Sequence, residues 1–190
     1  ICDGIAYFGS HDNYVYAVDV DSGEEVWRFL TGGVVAGRPL VLKVVSGRSR
    51  ISNCDDEGDP LRDTVGETTM VVVGSFDKKL YALDGARGTP VWARPVEGDN
   101  WFWAGAVAND RTIFAPSMDG SIYAIDIRGS LLWKHNMGAA IVSQPALVSR
   151  GLVVATKDGK LSLLNINAAV TASAREISSI SVGDDDIRAP

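Results

Sequence analysis

Apolar and polar residues alternate along this chain in short bursts. Tyr14, Tyr16 and Val18 point one way and Val15, Ala17 and Asp19 the other, the two-residue period of a strand. Asp21-Ser22-Gly23 then supplies turn chemistry, with Gly23 free to take a positive φ, and Val26-Trp27-Arg28-Phe29 resumes as a strand. The runs Pro39 to Val45, Val107 to Ala108 and Pro145 to Val148 predict a strand that opens each later unit. No segment sustains a helical period, so the chain reads as all-β.

The pattern recurs. Tyr16-Ala17-Val18-Asp19 … Gly23 … Trp27 returns as Tyr81-Ala82-Leu83-Asp84 … Gly88 … Trp92 and as Tyr123-Ala124-Ile125-Asp126 … Gly129 … Trp133. Upstream, Gly9-Ser10-His11-Asp12 aligns with Gly74-Ser75-Phe76-Asp77 and Pro116-Ser117-Met118-Asp119, and a fourth copy reads Thr156-Lys157-Asp158. The later copies are spaced by ~40 residues, and the first interval is longer by about 25. Four short antiparallel strands at this spacing predict a β-propeller. About four four-stranded blades are expected, near 4–30, 39–95, 104–136 and 145–182 of a single domain over 1–190, with an insertion at 46–69.

A single blade cannot bury either face of its sheet, whereas stacked blades bury both. Trp27, Trp92 and Trp133 are therefore expected between neighbouring blades, each burying on the order of 200 Å². Asp19, Asp84 and Asp126 are expected to bond turn amides rather than to act as acids or bases.

These motifs resemble the pyrroloquinoline-quinone-type propeller repeat, whose signature is Ala-x-Asp, a glycine-containing turn, then Trp. Three copies match: Ala17-Val18-Asp19 … Ser22-Gly23 … Trp27, Ala82-Leu83-Asp84 … Arg87-Gly88 … Trp92, and Ala124-Ile125-Asp126 … Arg128-Gly129 … Trp133, one residue shorter in its turn. The fourth departs, with Leu163-Leu164-Asn165 and no Trp after it. A WD-type repeat fits less well, because no Trp-Asp pair occurs. The resemblance implies either a quinone-dependent alcohol or sugar dehydrogenase, or a non-enzymatic scaffold like the propeller lipoprotein of the outer-membrane β-barrel assembly machinery.

Composition narrows the partners. The 190 residues are 46% hydrophobic and carry a formal charge of −6, which argues against nucleic acid and against an anionic membrane surface. No stretch approaches the ~20 apolar residues of a membrane span. The first copy opens on the second strand of a blade, and Ile187-Arg188-Ala189-Pro190 reads like the entry to another. The expectation is an open arc or part of a larger ring.

Three further features carry candidate chemistry. The insertion is a polar, acidic loop in which Asn53, Asp55 and Glu57 alternate before Gly58, a partial match to a calcium loop that lacks the bidentate Glu at its twelfth position. Cys2 and Cys54 precede equivalent strands of adjacent blades and so fall on one rim. They are either a disulfide, which would place the chain in an oxidising compartment, or two free thiols. Trp101, Phe102 and Trp103 join the second and third blades. They are either inter-blade packing or an aromatic contact surface for a partner.

Catalytic signals are weak. His11 and His135 lack companions at metal-ligand spacing. Ser10-His11-Asp12 are sequence neighbours in a turn, whereas a triad requires convergence in space. The adjacent cysteine pair of many quinone-dependent alcohol dehydrogenases does not occur. The reading favours a non-catalytic scaffold that binds another protein, or the missing blades of its own ring, outside the cytoplasm (periplasmic or secreted), with no cofactor predicted. A quinone-dependent dehydrogenase fragment holding pyrroloquinoline quinone and calcium is the alternative, and a sugar-binding propeller using the aromatic cluster is a third.

Overall fold

The computed structural model of this protein describes residues 1–45, 51–54, 67–166 and 175–181. These form four antiparallel sheets in chain order, the architecture of a partial β-propeller. Among the described residues there is no helix.

The first sheet contains β1 (Ile5–Gly9), β2 (Tyr14–Asp19) and β3 (Glu25–Leu30). The second contains β4 (Leu40–Val45), β5 (Ile51–Asn53), β6 (Glu67–Gly74), β7 (Lys79–Asp84) and β8 (Val96–Glu97), in the order β5-β4-β6-β7-β8. The third runs β9 (Val107–Ala108), β10 (Thr112–Pro116), β11 (Ser121–Asp126) and β12 (Leu131–Asn136). The fourth runs β13 (Ala146–Val148), β14 (Gly151–Ala155), β15 (Lys160–Asn165) and β16 (Arg175–Ser181).

Three apolar clusters lie between successive sheets. Val15, Ala17 and Trp27 meet Val71, Val73 and Leu83. Leu42, Met70, Val72 and Trp92 meet Ile113, Ala115 and Ile125. Phe114, Ile122 and Ala124 meet Leu152, Val154 and Leu164. Strand burial follows from this stacking. Every residue from Met70 to Val73, and from Ser121 to Ile125, is buried, because both faces of those sheets are covered. In β2 only Val15 and Ala17 are fully buried, because among the described residues only one face of that sheet is covered.

Two details depart from the sequence reading. Part of the insertion is not loop: Ile51–Asn53 pairs with Leu42–Val44 and adds a strand to the free edge of β4. In the second sheet the strand expected to carry Trp92 is broken. After the bridge between Leu83 and Pro90 the ladder lapses, and it resumes only at Val96–Glu97. Pro90 and Pro95 bracket that gap, and proline brings no N–H to a ladder.

Candidate functional site

The repeat aspartates are spent on the backbone. The Asp19 carboxylate accepts the Ser22 amide at 2.8 Å, Asp84 that of Arg87 at 2.8 Å, and Asp126 that of Ser130 at 2.8 Å. The three turns place Gly23, Gly88 and Gly129 at φ of 73°, 69° and 87°. A second set of acids works on the opposite turns. Asp12, Asp77 and Asp119 accept the amides of Tyr14, Lys79 and Ser121, and the hydroxyls of Tyr16, Tyr81 and Tyr123. These acids therefore hold the scaffold. Asp12 is engaged by tyrosine rather than by the neighbouring imidazole, so Ser10, His11 and Asp12 form no triad.

The Ser-x-Asp turns make one rim, and the segments joining the sheets run along it. The amides of Phe76, Met118 and Lys157 donate to the carbonyls of Val34, Trp101 and Ala140. One residue of each joining segment plugs the gap beneath. Val35 sits against Gly9 and Phe102 against Gly74, where any Cβ would fall 2.3 and 2.4 Å from its neighbour. Phe102 is fully buried, edge-on to Tyr123 at 5.3 Å. It is therefore inter-blade core, the packing alternative, and not a contact residue.

Burying Phe102 turns its neighbours outward. Trp101 and Trp103 remain 39% and 40% exposed and enclose Phe76, with ring centroids at 4.8 and 4.9 Å and interplanar angles of 3° and 21°. Phe76 stands where the other copies carry His11, Met118 and Lys157. Phe76 is thus the one phenylalanine at this repeat position, although neither it nor the Trp-Phe-Trp string announces the three-ring stack in the sequence. Beside it, Lys134 bridges Asp99 at 2.6 Å and Asp119 at 3.0 Å, with its ammonium 4.8 Å from the centre of the Tyr123 ring. Burial opposes the charge on Lys134, but the bonds to Asp99, Tyr123 and Asp119 outweigh it and raise its pKa. Burial likewise pushes Asp119 up, yet the Tyr123 and Lys134 bonds hold it below the ordinary carboxylate value.

The other candidates fall elsewhere. Cys2 and Cys54 form a disulfide with their Cα atoms 5.6 Å apart, next to an ion pair between Lys43 and Asp3. Asn53 pairs with Leu42 in the ladder, whereas Asp55 and Glu57 lie outside the described residues. His135 sits opposite Ile122 in β12. An open trough of about 360 Å³ runs past the inner strands, lined by Arg38, Leu40, Val107, Gln144 and Leu147 among others. Its lining offers no carboxylate. Among its described lining the side-chain oxygens are those of Tyr7 and Gln144, with no charged donor for a calcium ion.

A family model described as outer membrane protein assembly factor BamB matches residues 11–185. The outer membrane protein assembly factor BamB of Pseudomonas aeruginosa is 27% identical over 168 residues, covering 87% of this chain and 39% of that protein. The quinohemoprotein alcohol dehydrogenase ADH IIB of Pseudomonas putida is 34% identical over 92 residues, covering 48% of this chain and 11% of the enzyme. In fold, the crystal structure of BamB from Moraxella catarrhalis superposes with a TM-score of 0.65 at 19% identity, covering 96% of this chain and 47% of the other. The chain thus spans about 39% of the Pseudomonas aeruginosa protein's length.

Proposed function

Since this chain belongs to the family of the outer membrane protein assembly factor BamB, we propose that it is a non-catalytic propeller scaffold that binds another protein during outer membrane protein assembly. The observation that carries the reading is the family match over 11–185. The Trp101–Phe76–Trp103 stack supplies a contact surface of the kind that dominates protein interfaces: rigid, aromatic and part-exposed. The Cys2–Cys54 disulfide supports a place outside the cytoplasm, in the periplasm or beyond, because such bonds persist in oxidising compartments. Among the described residues no helix is long and apolar enough to cross a membrane.

The test is site-specific photocrosslinking from position 103 in the cell envelope. Crosslinks to outer membrane assembly components are expected, and the paired changes Trp101→Ala and Phe76→Ala should weaken capture by about tenfold, the loss of one hot-spot contact. Undiminished capture would remove the stack from the interface. The dehydrogenase alternative is supported by the repeat motif and by the 92-residue match, which covers 11% of that enzyme. Absorbance titration with pyrroloquinoline quinone and calcium discriminates: saturable binding would favour the enzyme.

A further inference from the structure

Ahead of β1 a small turn gathers side chains that no repeat motif explains. Cys2 and Ile5 exchange two backbone hydrogen bonds of 2.9 Å, which close a two-residue turn with Asp3 at φ of 48° and Gly4 at 77°. Positive φ at both central residues is the type I′ geometry, which Asp-Gly suits. The turn folds the Asp3 carboxylate back on its neighbour, so that Oδ2 lies 3.8 Å from Cys2 Sγ. Cys54 arrives from the second sheet. Its amide donates to the Val41 carbonyl at 3.2 Å, directly after Asn53 pairs with Leu42.

Among the described residues, Cys2, Asp3 and Cys54 are the one group of three or more histidine, cysteine or acidic side chains whose ligand atoms all lie within 4.8 Å of one another. In the oxidised chain the two sulfurs are bonded to each other and carry no charge to offer a metal. Reduction by a dithiol changes this. The S–S bond takes up two electrons and two protons to give two thiols, and the dithiol leaves as its own disulfide. The ligand positions survive that step, because the backbone bonds of the turn and of Cys54 fix them independently of the S–S bond. The Cα atoms are 5.6 Å apart. Rotation of the two side chains about those positions opens the sulfurs to about 3.8 Å, the separation of two thiolates on one tetrahedral cation at metal–sulfur lengths of ~2.3 Å.

We propose that the reduced chain binds one zinc-class cation here, through Cys2 Sγ, Cys54 Sγ and an Asp3 carboxylate oxygen, with water in the fourth position. Two thiolates select such a metal over calcium or magnesium, and binding releases the two thiol protons. These ligands leave a divalent cation with one negative charge in excess. Lys43, whose ammonium already pairs with Asp3, balances it. The Asp3 side chain is 56% exposed, which gives the cation a way in. The result is a clasp with two forms, a disulfide in the oxidised chain and a metal bridge in the reduced one, each tying the turn ahead of β1 to the second sheet. The inference is independent of the proposed scaffold function, because it rests only on the geometry of this turn and of Cys54.

The test uses the full chain, reduced with a phosphine and freed of reductant under argon. Cobalt(II), which reports its ligands by absorbance, is titrated in first and zinc(II) second. Saturation is expected at one cobalt per chain, with a thiolate-to-cobalt charge-transfer band and the visible bands of a tetrahedral site, all bleached by zinc. The oxidised chain should show none of these bands. Asp3→Asn, which keeps a residue tolerant of positive φ, should weaken cobalt binding by at least about tenfold, no less than the loss of a group that merely orients a ligand. Zinc should raise the thermal midpoint of the reduced chain and leave that of the oxidised chain unmoved. Absence of the charge-transfer band, one cobalt per two chains, or unchanged affinity in Asp3→Asn would each overturn the proposal. Should reduction unfold the chain, cobalt must restore the tryptophan fluorescence of the folded state, and cobalt held by a chain that stays unfolded would equally overturn it.

Discussion

Asp119 shows how a repeated residue acquires a different charge environment in one copy. All three Ser-x-Asp carboxylates accept a tyrosine hydroxyl, but only Asp119 also receives Lys134. Its folded pKa is depressed, so its contribution to stability is present above the ordinary carboxylate pKa and is lost as pH falls through the lower folded value. Lys134→Met removes one of the bonds that favours the charged form. Acid unfolding followed by tryptophan fluorescence should therefore begin at higher pH in the variant, and an unmoved acid limb would show that the ammonium contributes nothing there. The spacing of Asp12 to Tyr16, Asp77 to Tyr81 and Asp119 to Tyr123 is visible in the sequence. Their bond is not, because it depends on the turn bringing the start of the next strand back over the carboxylate. Likewise Trp101 and Trp103 are legible as an unusual pair. That Phe76 lies between them is not, since 25 residues or more separate them in the chain and only the docking of one sheet's exit on the next sheet's turn brings them together.

At the level of strands and turns, the fit of Trp27 and of Trp92 to the following sheet's glycine is a local rule that can be tested by adding one methyl group. Gly4 and Gly88 both have positive φ, of 77° and 69°. A Cβ on Gly4 meets nothing within 4 Å, whereas on Gly88 it lands 2.6 Å from the Trp27 ring. Gly4→Ala should cost about 1–2 kcal/mol of backbone strain, and Gly88→Ala about 1–3 kcal/mol more from overpacking. Chemical denaturation of the two variants measures the difference, and equal losses would refute the close fit. The alternating bursts of sequence were sufficient to read most of these strands, because a two-residue period is a property of the strand itself. They were insufficient at Trp92, where the local pattern promised a ladder that Pro90 and Pro95 interrupt. They also missed Ile51–Asn53, whose pairing comes from the free edge of β4 rather than from any period of its own.

Over the molecule as a whole, contacts are mainly between neighbours, and the disulfide is the main covalent addition to that scheme. It joins Cys2, ahead of the first sheet, to Cys54, beside the second, 52 residues apart. A closed loop of that size is expected to stabilise the folded state by about 2–4 kcal/mol, mainly by restricting the unfolded chain. Reduction, or Cys54→Ser, should lower the denaturation midpoint accordingly, and an unchanged midpoint would mean the bond is not formed in the native protein. The nearest-neighbour packing has a further consequence for lineage. Because the first and second sheets each seat their indole on the sheet that follows, gain or loss of one such whole unit of ~40 residues preserves the same kind of junction, whereas removal of half a unit breaks two. Proteins of this build can therefore lengthen or shorten over evolutionary time in discrete steps, much as a chain is altered by whole links.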